Sequence, residues 1–170
     1  MAINLRDIPE AVQNYMNTKV TVAVSSFTPA VGATINPNEL FTFNVTTTNA
    51  NAAGGGITLK NVKYRIQSAN ANVAKIKVPA GGTSTDLLGN PLAVGTEVAA
   101  FIYNPTAATA NDTLGVGDSD ILSLTGKAGA SPAGGSTNIQ ARILADVDLD
   151  SLFPKDEDTS VVTRNISVVG

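Results

Sequence analysis

At 170 residues the chain is long enough for one domain with its own core, and its net charge of −3 on 15% charged residues is too weak for a nucleic-acid surface. It has no cysteine and no histidine, which excludes disulfides, thiolate metal sites and the usual general base. No apolar run approaches the ~20 residues of a membrane-spanning helix, and Arg6, Asp7 and Glu10 interrupt the start where a signal peptide would be apolar, so the expectation is a soluble chain without a cleavable leader.

Residues 7–17 read as the single helix. Asp7 is placed to cap it, Glu10 completes a capping-box-like spacing, and Pro9 is tolerated in the first turn. Ile8, Ala11, Val12, Tyr15 and Met16 recur at helical spacing and make one apolar stripe. So short a helix is marginal in water and needs that stripe covered. The cover is either the end of its own sandwich or a neighbouring subunit. On the second alternative Ile8, Val12, Tyr15 and Met16 are the interface residues, and residues 1–18 form an N-terminal helical arm ahead of one domain at 19–170.

Strands follow. Val20, Val22 and Val24 share one face of a strand at Lys19–Ser25, and a turn-rich crossing with Pro29, Gly32, Pro37 and Asn38 comes next. In Leu40–Thr48, Phe41, Phe43 and Val45 alternate with Thr42, Asn44 and Thr46. Asn49–Gly56 reads as a flexible turn. Val62, Tyr64 and Ile66 mark a strand within Ile57–Gln67, and Ala74, Ile76 and Val78 mark another, stopped by Pro79. Thr83–Pro91 reads as loop, Glu97–Tyr103 as strand, and 106–118 as a second long loop. Ile121, Leu122 and Leu124 open the next strand, and Ala128–Ser136 is a mobile tip. The long loops at 83–95 and 104–118 are expected to be functional or contact-forming.

The last stretch, Thr137–Val169, reads as a strand, an acidic turn at Asp146–Asp158 and a closing strand. Ile139, Ala141 and Ile143 alternate with Gln140, Arg142 and Leu144, and Val162, Arg164, Ile166 and Val168 recur in the closing strand. About eight short strands with almost no helix point to an all-β antiparallel sandwich with one short N-terminal helix.

The run VTVAVSSFTPAVGATINPNELFTFNVTTTNANAAGGGITLKNVKYRI resembles the opening of the CARDB type of bacterial immunoglobulin-like module. In that family a Val-rich strand and a Pro-Gly turn lead to a strand ending in Thr-Asn, a glycine and a second pairing strand. Ile139–Val168 resembles its ending, where a strand runs through an Asp-bearing turn to the closing strand. The likeness covers roughly residues 19–68 and 119–169 and implies an immunoglobulin-like β-sandwich. Three features depart from the family: the glycine comes late, at Gly54; Asp156-Glu157-Asp158-Thr159-Ser160 replaces an Asn-rich acidic signature; and residues 69–118 look like an extension.

Among candidate chemistries, Asp146, Asp148, Asp150, Asp156, Glu157 and Asp158 offer enough carboxylates for a calcium ion. They lack the glycine of a calcium loop, and a solvated acidic turn is the better reading. Asp112, Asp118 and Asp120 form a weaker set. Paired carboxylates also serve glycoside hydrolysis, but the chain has no Trp for a sugar platform. Gly115-Val116-Gly117 reads as a turn, and the sequons at Asn44, Asn111 and Asn165 carry no weight without a secretory signal. The expectation is a non-enzymatic structural protein without cofactor, binding protein rather than nucleic acid or membrane. The sequence favours a head decoration (cement) protein of a tailed-phage virion, bound to the capsid shell or to like subunits as a homo-oligomer, with a trimer favoured. The alternative is an adhesion or carbohydrate-contacting module of a bacterial cell surface.

Overall fold

The computed structural model describes residues 9–50, 56–105, 112–130, 135–146, 152–154 and 160–166. Helix α1 (Pro9–Lys19) runs without a linker into β1 (Val20–Thr28), followed by β2 (Leu40–Asn49), β3 (Lys60–Ser68) and β4 (Ala74–Lys77). Four short strands come next: β5 (Gly82–Thr85), β6 (Pro91–Leu92), β7 (Glu97–Val98) and β8 (Ala100–Pro105). The long β9 (Ser119–Ala128) and β10 (Gly135–Asp146) precede β11 (Leu152–Pro154) and β12 (Ser160–Ile166). One sheet has the order β1-β2-β9-β4-β7; the other runs β11-β10-β3-β8-β5-β6, with β12 also paired to β10. All the pairings are antiparallel, so the fold is the antiparallel β-sandwich that the alternation indicates.

The core is what the period-two pattern places inward. Val22, Val24, Phe41, Phe43, Val45, Leu122 and Leu124 of the first sheet meet Val62, Tyr64, Ile66, Phe101, Tyr103, Ile139 and Ile143 of the second. Phe27, Phe41 and Phe43 stack with ring centroids 5.3–6.4 Å apart. Phe27 is out of phase with Val20, Val22 and Val24. A bulge between Ser25 and Thr28, with Ser26 at φ 55°, inserts the residue that turns Phe27 back inward. Asn61, at φ 50°, does the same between buried Leu59 and Val62, opposite the register shift at Leu144–Asp146.

The structure corrects several readings. Thr83–Pro91 is not loop alone: β5 and β6 overlap its two ends, held by main-chain pairing to β8 and to each other. Their Thr and Ser side chains give no apolar signal. Glu97–Tyr103 is not one strand, because β7 pairs β4 in the first sheet while β8 pairs β3 in the second. Residues 69–118, which look like an extension in the sequence, supply strands to both sheets. Asn49 is not in a flexible turn but ends β2, fully buried.

Asn49 ties four segments together. Its Nδ2 donates to Ile57 O at 2.8 Å and Leu114 O at 3.1 Å, and its Oδ1 accepts from the Tyr15 hydroxyl at 2.7 Å. Its backbone exchanges bonds with the turn at Gly117 and Asp118. Helix α1 is thereby fixed to the end of the sandwich, and Thr18 Oγ1 bonds back to Asn14 O in its last turn. The helix runs on to Lys19, two residues past the expected end at Asn17. The expected cap at Asp7 lies outside the described residues.

Candidate interaction surface

Strand alternation, reset in β1 by the bulge, places the even-numbered residues of β2, the odd-numbered residues of β9, and Thr21, Ala23, Ser25 and Thr28 of β1 on the outer face of the first sheet, and the register sets them in rows. Thr21 stands beside Thr48 and Ser119, Ala23 beside Thr46 and Ile121, Ser25 beside Asn44 and Ser123, and Thr28 beside Thr42 and Thr125. These twelve are exposed or half-buried and none carries a charge; the charges of this face, Lys127 of β9, Lys75 and Lys77 of β4 and Glu97 of β7, lie beyond the four rows. Hydrogen bonds lock part of the array: Thr48 Oγ1 lies 2.7 Å from Ser119 Oγ, and Ser123 Oγ donates to Asn44 Oδ1 at 2.9 Å. Ile121 stands among these hydroxyls 56% exposed. The outer face of the second sheet differs, with Arg65 opposite Arg142 and Gln67 opposite Gln140. A face of short neutral side chains costs less to desolvate than one of carboxylates and ammoniums. Depletion of charge is also what marks the centre of protein–protein interfaces.

Apolar side chains stand out at two places near this sheet. Beside β9, Val94 is 62% exposed and, with Lys77, Val78, Pro79 and Ala80, faces Ile121–Thr125 across a cleft of about 420 Å³. At the β5–β6 hairpin tip, Leu88 is 88% exposed. The Asp86 carboxylate fixes that tip by accepting from Asn90 Nδ2 at 2.8 Å, Asn90 N at 2.9 Å and Leu88 N at 2.8 Å. These bonds, the Asn90 side chain first, hold its pKa below the ordinary carboxylate value. The 83–95 segment therefore carries exposed apolar groups on ordered backbone; most of the 104–118 segment's tip, residues 106–111, lies outside the described residues.

The structure separates the other candidates. Met16 is fully buried in the chain's own core and Tyr15 packs against that core, so these two cover the sandwich rather than a neighbour. The side chains of Ile8 and Val12 lie outside the described residues. Of the acidic set, Asp146 ends β10, paired to Leu152 and Lys60. Its side chain lies outside the described residues, as do Asp148, Asp150, Asp156, Glu157 and Asp158 entirely. Asp112, Asp118 and Asp120 are described, but no group of three such side chains able to hold a metal forms among the described residues. No helix among the described residues is long and apolar enough to cross a membrane. The outer-face rows escaped the sequence reading, because alternation names the outward residues but not which strands lie side by side.

Fold and surface together define an immunoglobulin-like antiparallel β-sandwich with four uncharged cross-strand rows on one sheet face. No sequence-family profile matches the chain, and no curated protein sequence does. Among solved structures, it is similar to the CARDB domain of a Pyrococcus furiosus protein crystallised with di-metal ions, at 17% identity over 88% of this chain and 87% of that one, with a TM-score of 0.41. It is also similar to AvmM, which catalyses macrocyclization in alchivemycin A biosynthesis, at 12% identity over 91% and 92% of the two chains and a TM-score of 0.48. The seventh ScaB type I cohesin from Pseudobacteroides cellulosolvens matches at 11% identity over 89% and 92%, with a TM-score of 0.40. The first is a domain of the kind whose strands the sequence resembles. Likenesses at these identities and TM-scores carry no information on binding or catalysis.

Proposed function

We propose that this chain is a non-enzymatic protein-binding module that adheres through the outer face of β1, β2 and β9. The observation that carries the reading is the charge-free array of four cross-strand rows, set side by side by strand pairing on a chain of net charge −3. Within that class the finer reading is a decoration protein on the head of a tailed-phage virion, bound to the capsid shell. A decoration protein meets a large, repeated protein surface. A broad neutral face suits that task better than a deep pocket, and the Ala-, Thr-, Asn- and Gly-rich composition agrees with it.

The test is co-sedimentation of the purified protein with undecorated, expanded phage heads. Saturable binding is expected, weakened at least tenfold by Thr46→Lys or Asn44→Arg, each of which plants a charge in the centre of the array and leaves the core untouched. Binding that ignores both substitutions would refute the face. A failure to bind heads, with retained binding to whole bacterial cells, would move the protein to the surface-adhesion class.

A further inference from the structure

β9 is paired unequally on its two sides. Against β2 its partners run unbroken from Ser119 to Lys127. Against β4 they run only from Ala128 to Gly126. The cause is local. Val78 N donates to Thr96 O and Val78 O accepts from Gly95 N, both at 2.9 Å, which draws the chain toward the 94–96 turn. Pro79 has no N–H with which to continue a ladder, and the chain then crosses to the second sheet as β5. Beyond Lys77, which the register sets beside Thr125, residues 121–124 are left without a strand beside them among the described residues.

Alternation decides which backbone groups meet that gap. Ala128 N donates toward β2, to Glu39 O at 2.9 Å, and Gly129 N donates toward β4, to Val73 O at 2.8 Å. In an antiparallel ladder the sides alternate residue by residue, so Ile121 and Ser123 turn both N–H and C=O to the open side. The strand itself carries no protection in its sequence. Ile-Leu-Ser-Leu-Thr holds no lysine, proline, glycine or bulge, and folded proteins ordinarily blunt an unpaired edge with one of these. Donors and acceptors repeating every second residue are matched by the main chain of another strand and poorly by a sugar or a lipid. Four residues give room for an added strand of about 10 Å.

The charge along the cleft indicates what kind of strand. Lys77 is its single ionisable lining residue. Lys77 and Lys127 both reach Glu97, at 4.0 and 3.2 Å, and Lys75 lies beside them. Three lysines against one glutamate leave this end two charges positive on a chain whose net charge is −3. We propose that the open edge of β9 takes up an extended segment of another protein, antiparallel to β9, with an acidic residue at its N-terminal end against Lys77 and apolar residues against Val94 and Ile121. The inference rests on the protein-binding reading and names how a partner is held beside the uncharged face.

The probe is a synthetic acetylated peptide amide, Asp-Val-Thr-Val-Thr-Val, titrated into the full-length protein, with backbone amides followed by NMR and binding by fluorescence anisotropy. Saturable binding is expected, with the Ile121 and Ser123 amides shifted and protected from hydrogen exchange. The same peptide N-methylated at alternate residues should lose that protection and bind at least tenfold more weakly. Ser123→Pro deletes an N–H that β2 does not use and should weaken binding by a similar factor while the far-ultraviolet spectrum stays that of the parent. Lys77→Glu, away from the core, should weaken binding of the Asp peptide and not of a Lys-first version. Equal binding of the N-methylated peptide, shifts confined to another edge, or no binding at millimolar peptide would overturn the proposal. So would a concentration-dependent dimer that buries Ile121 and Ser123, since the edge would then serve a second copy. Thr46→Lys should leave peptide binding intact, so head binding without peptide binding refutes the strand and spares the module.

Discussion

Removing the Asn49 side chain tests how the helix, the 56–59 segment and the 112–118 turn are joined to the sandwich. Asn49→Ala deletes two donors and one acceptor from a site with no solvent access. Ile57 O and Leu114 O lose a side-chain partner; Leu114 O keeps the bond from Leu59 N at 2.9 Å, so Ile57 O is the more exposed to loss. An orphaned buried polar group costs about 1–3 kcal/mol, and each lost net hydrogen bond about 1. Tyr15 is half-buried and its hydroxyl can rehydrate at small cost. The total is roughly 3–4 kcal/mol, a large share of the ~5–15 kcal/mol that holds such a domain together. At about 2–4 °C per kcal/mol for a chain of this size, Tm should fall by about 6–16 °C. Urea unfolding followed by circular dichroism measures the loss directly, and a cycle with Tyr15→Phe isolates the helix contact, expected near 1 kcal/mol. A loss under about 1 kcal/mol for Asn49→Ala would refute the reasoning and show that water replaces the side chain without penalty.

Burial pushes the Tyr64 hydroxyl up to about 12, a rise to which Asp120 and Tyr103 add and which the nearby Thr47 opposes. The folded chain therefore keeps a proton that the unfolded chain releases. The stability tied to it is whole below the ordinary tyrosine value near 10 and is lost as pH rises toward 12, about 2–3 kcal/mol in all. Tyr64→Phe should remove that alkaline loss and be neutral or stabilising at pH 7, because the hydroxyl has no hydrogen-bond partner of good geometry; urea midpoints at pH 7 and 11 decide it. Gly126→Ala would drive a methyl into the Phe41 ring and should cost about 1–3 kcal/mol in the same assay. Met16→Ala should cost about 2–5 kcal/mol in the monomer, whereas a methionine used only between subunits would leave monomer unfolding unchanged.

Much of the sandwich was legible because its long strands carry their burial in period two. Phe41, Phe43 and Val45, or Ile139, Ala141 and Ile143, point inward as the sequence indicates. Where backbone pairing replaces apolar contrast the signal vanishes. Thr83, Ser84 and Thr85 form a strand because β8 lies beside them, and their composition is that of a loop. Glu97–Tyr103 shows the converse. Its apolar run is continuous, yet Val98 pairs Ile76 in one sheet and Ala100 pairs Gln67 in the other. Periodicity gives the face of a residue and not the sheet. Asn49 misled for a related reason: the residue type is common in turns, and only the carbonyls of Ile57 and Leu114, brought to it by the fold, make a buried amide favourable.

The surface features were hidden more deeply, since each is a relation between segments. Thr46 is an ordinary outward strand residue until Ala23 is placed on one side and Ile121 on the other. The three then form part of a neutral patch that no single stretch displays. The open edge of β9 has the same origin. Ile121–Thr125 reads as a well-formed strand, and it is one. Among the described residues it has a free side because the 94–96 turn and Pro79, some forty residues earlier in the chain, lead β4 away. A strand edge is unsatisfied only in relation to the neighbour that leaves it, so local pattern cannot reveal it. That also explains why the charge on Lys77, unremarkable in sequence, acquires meaning at the mouth of the cleft. It stands where an added strand would begin, on the side where Lys75 and Lys127 outnumber Glu97. A partner strand beginning with a basic residue would meet that cluster unfavourably, so the same geometry that opens the edge also selects what can occupy it.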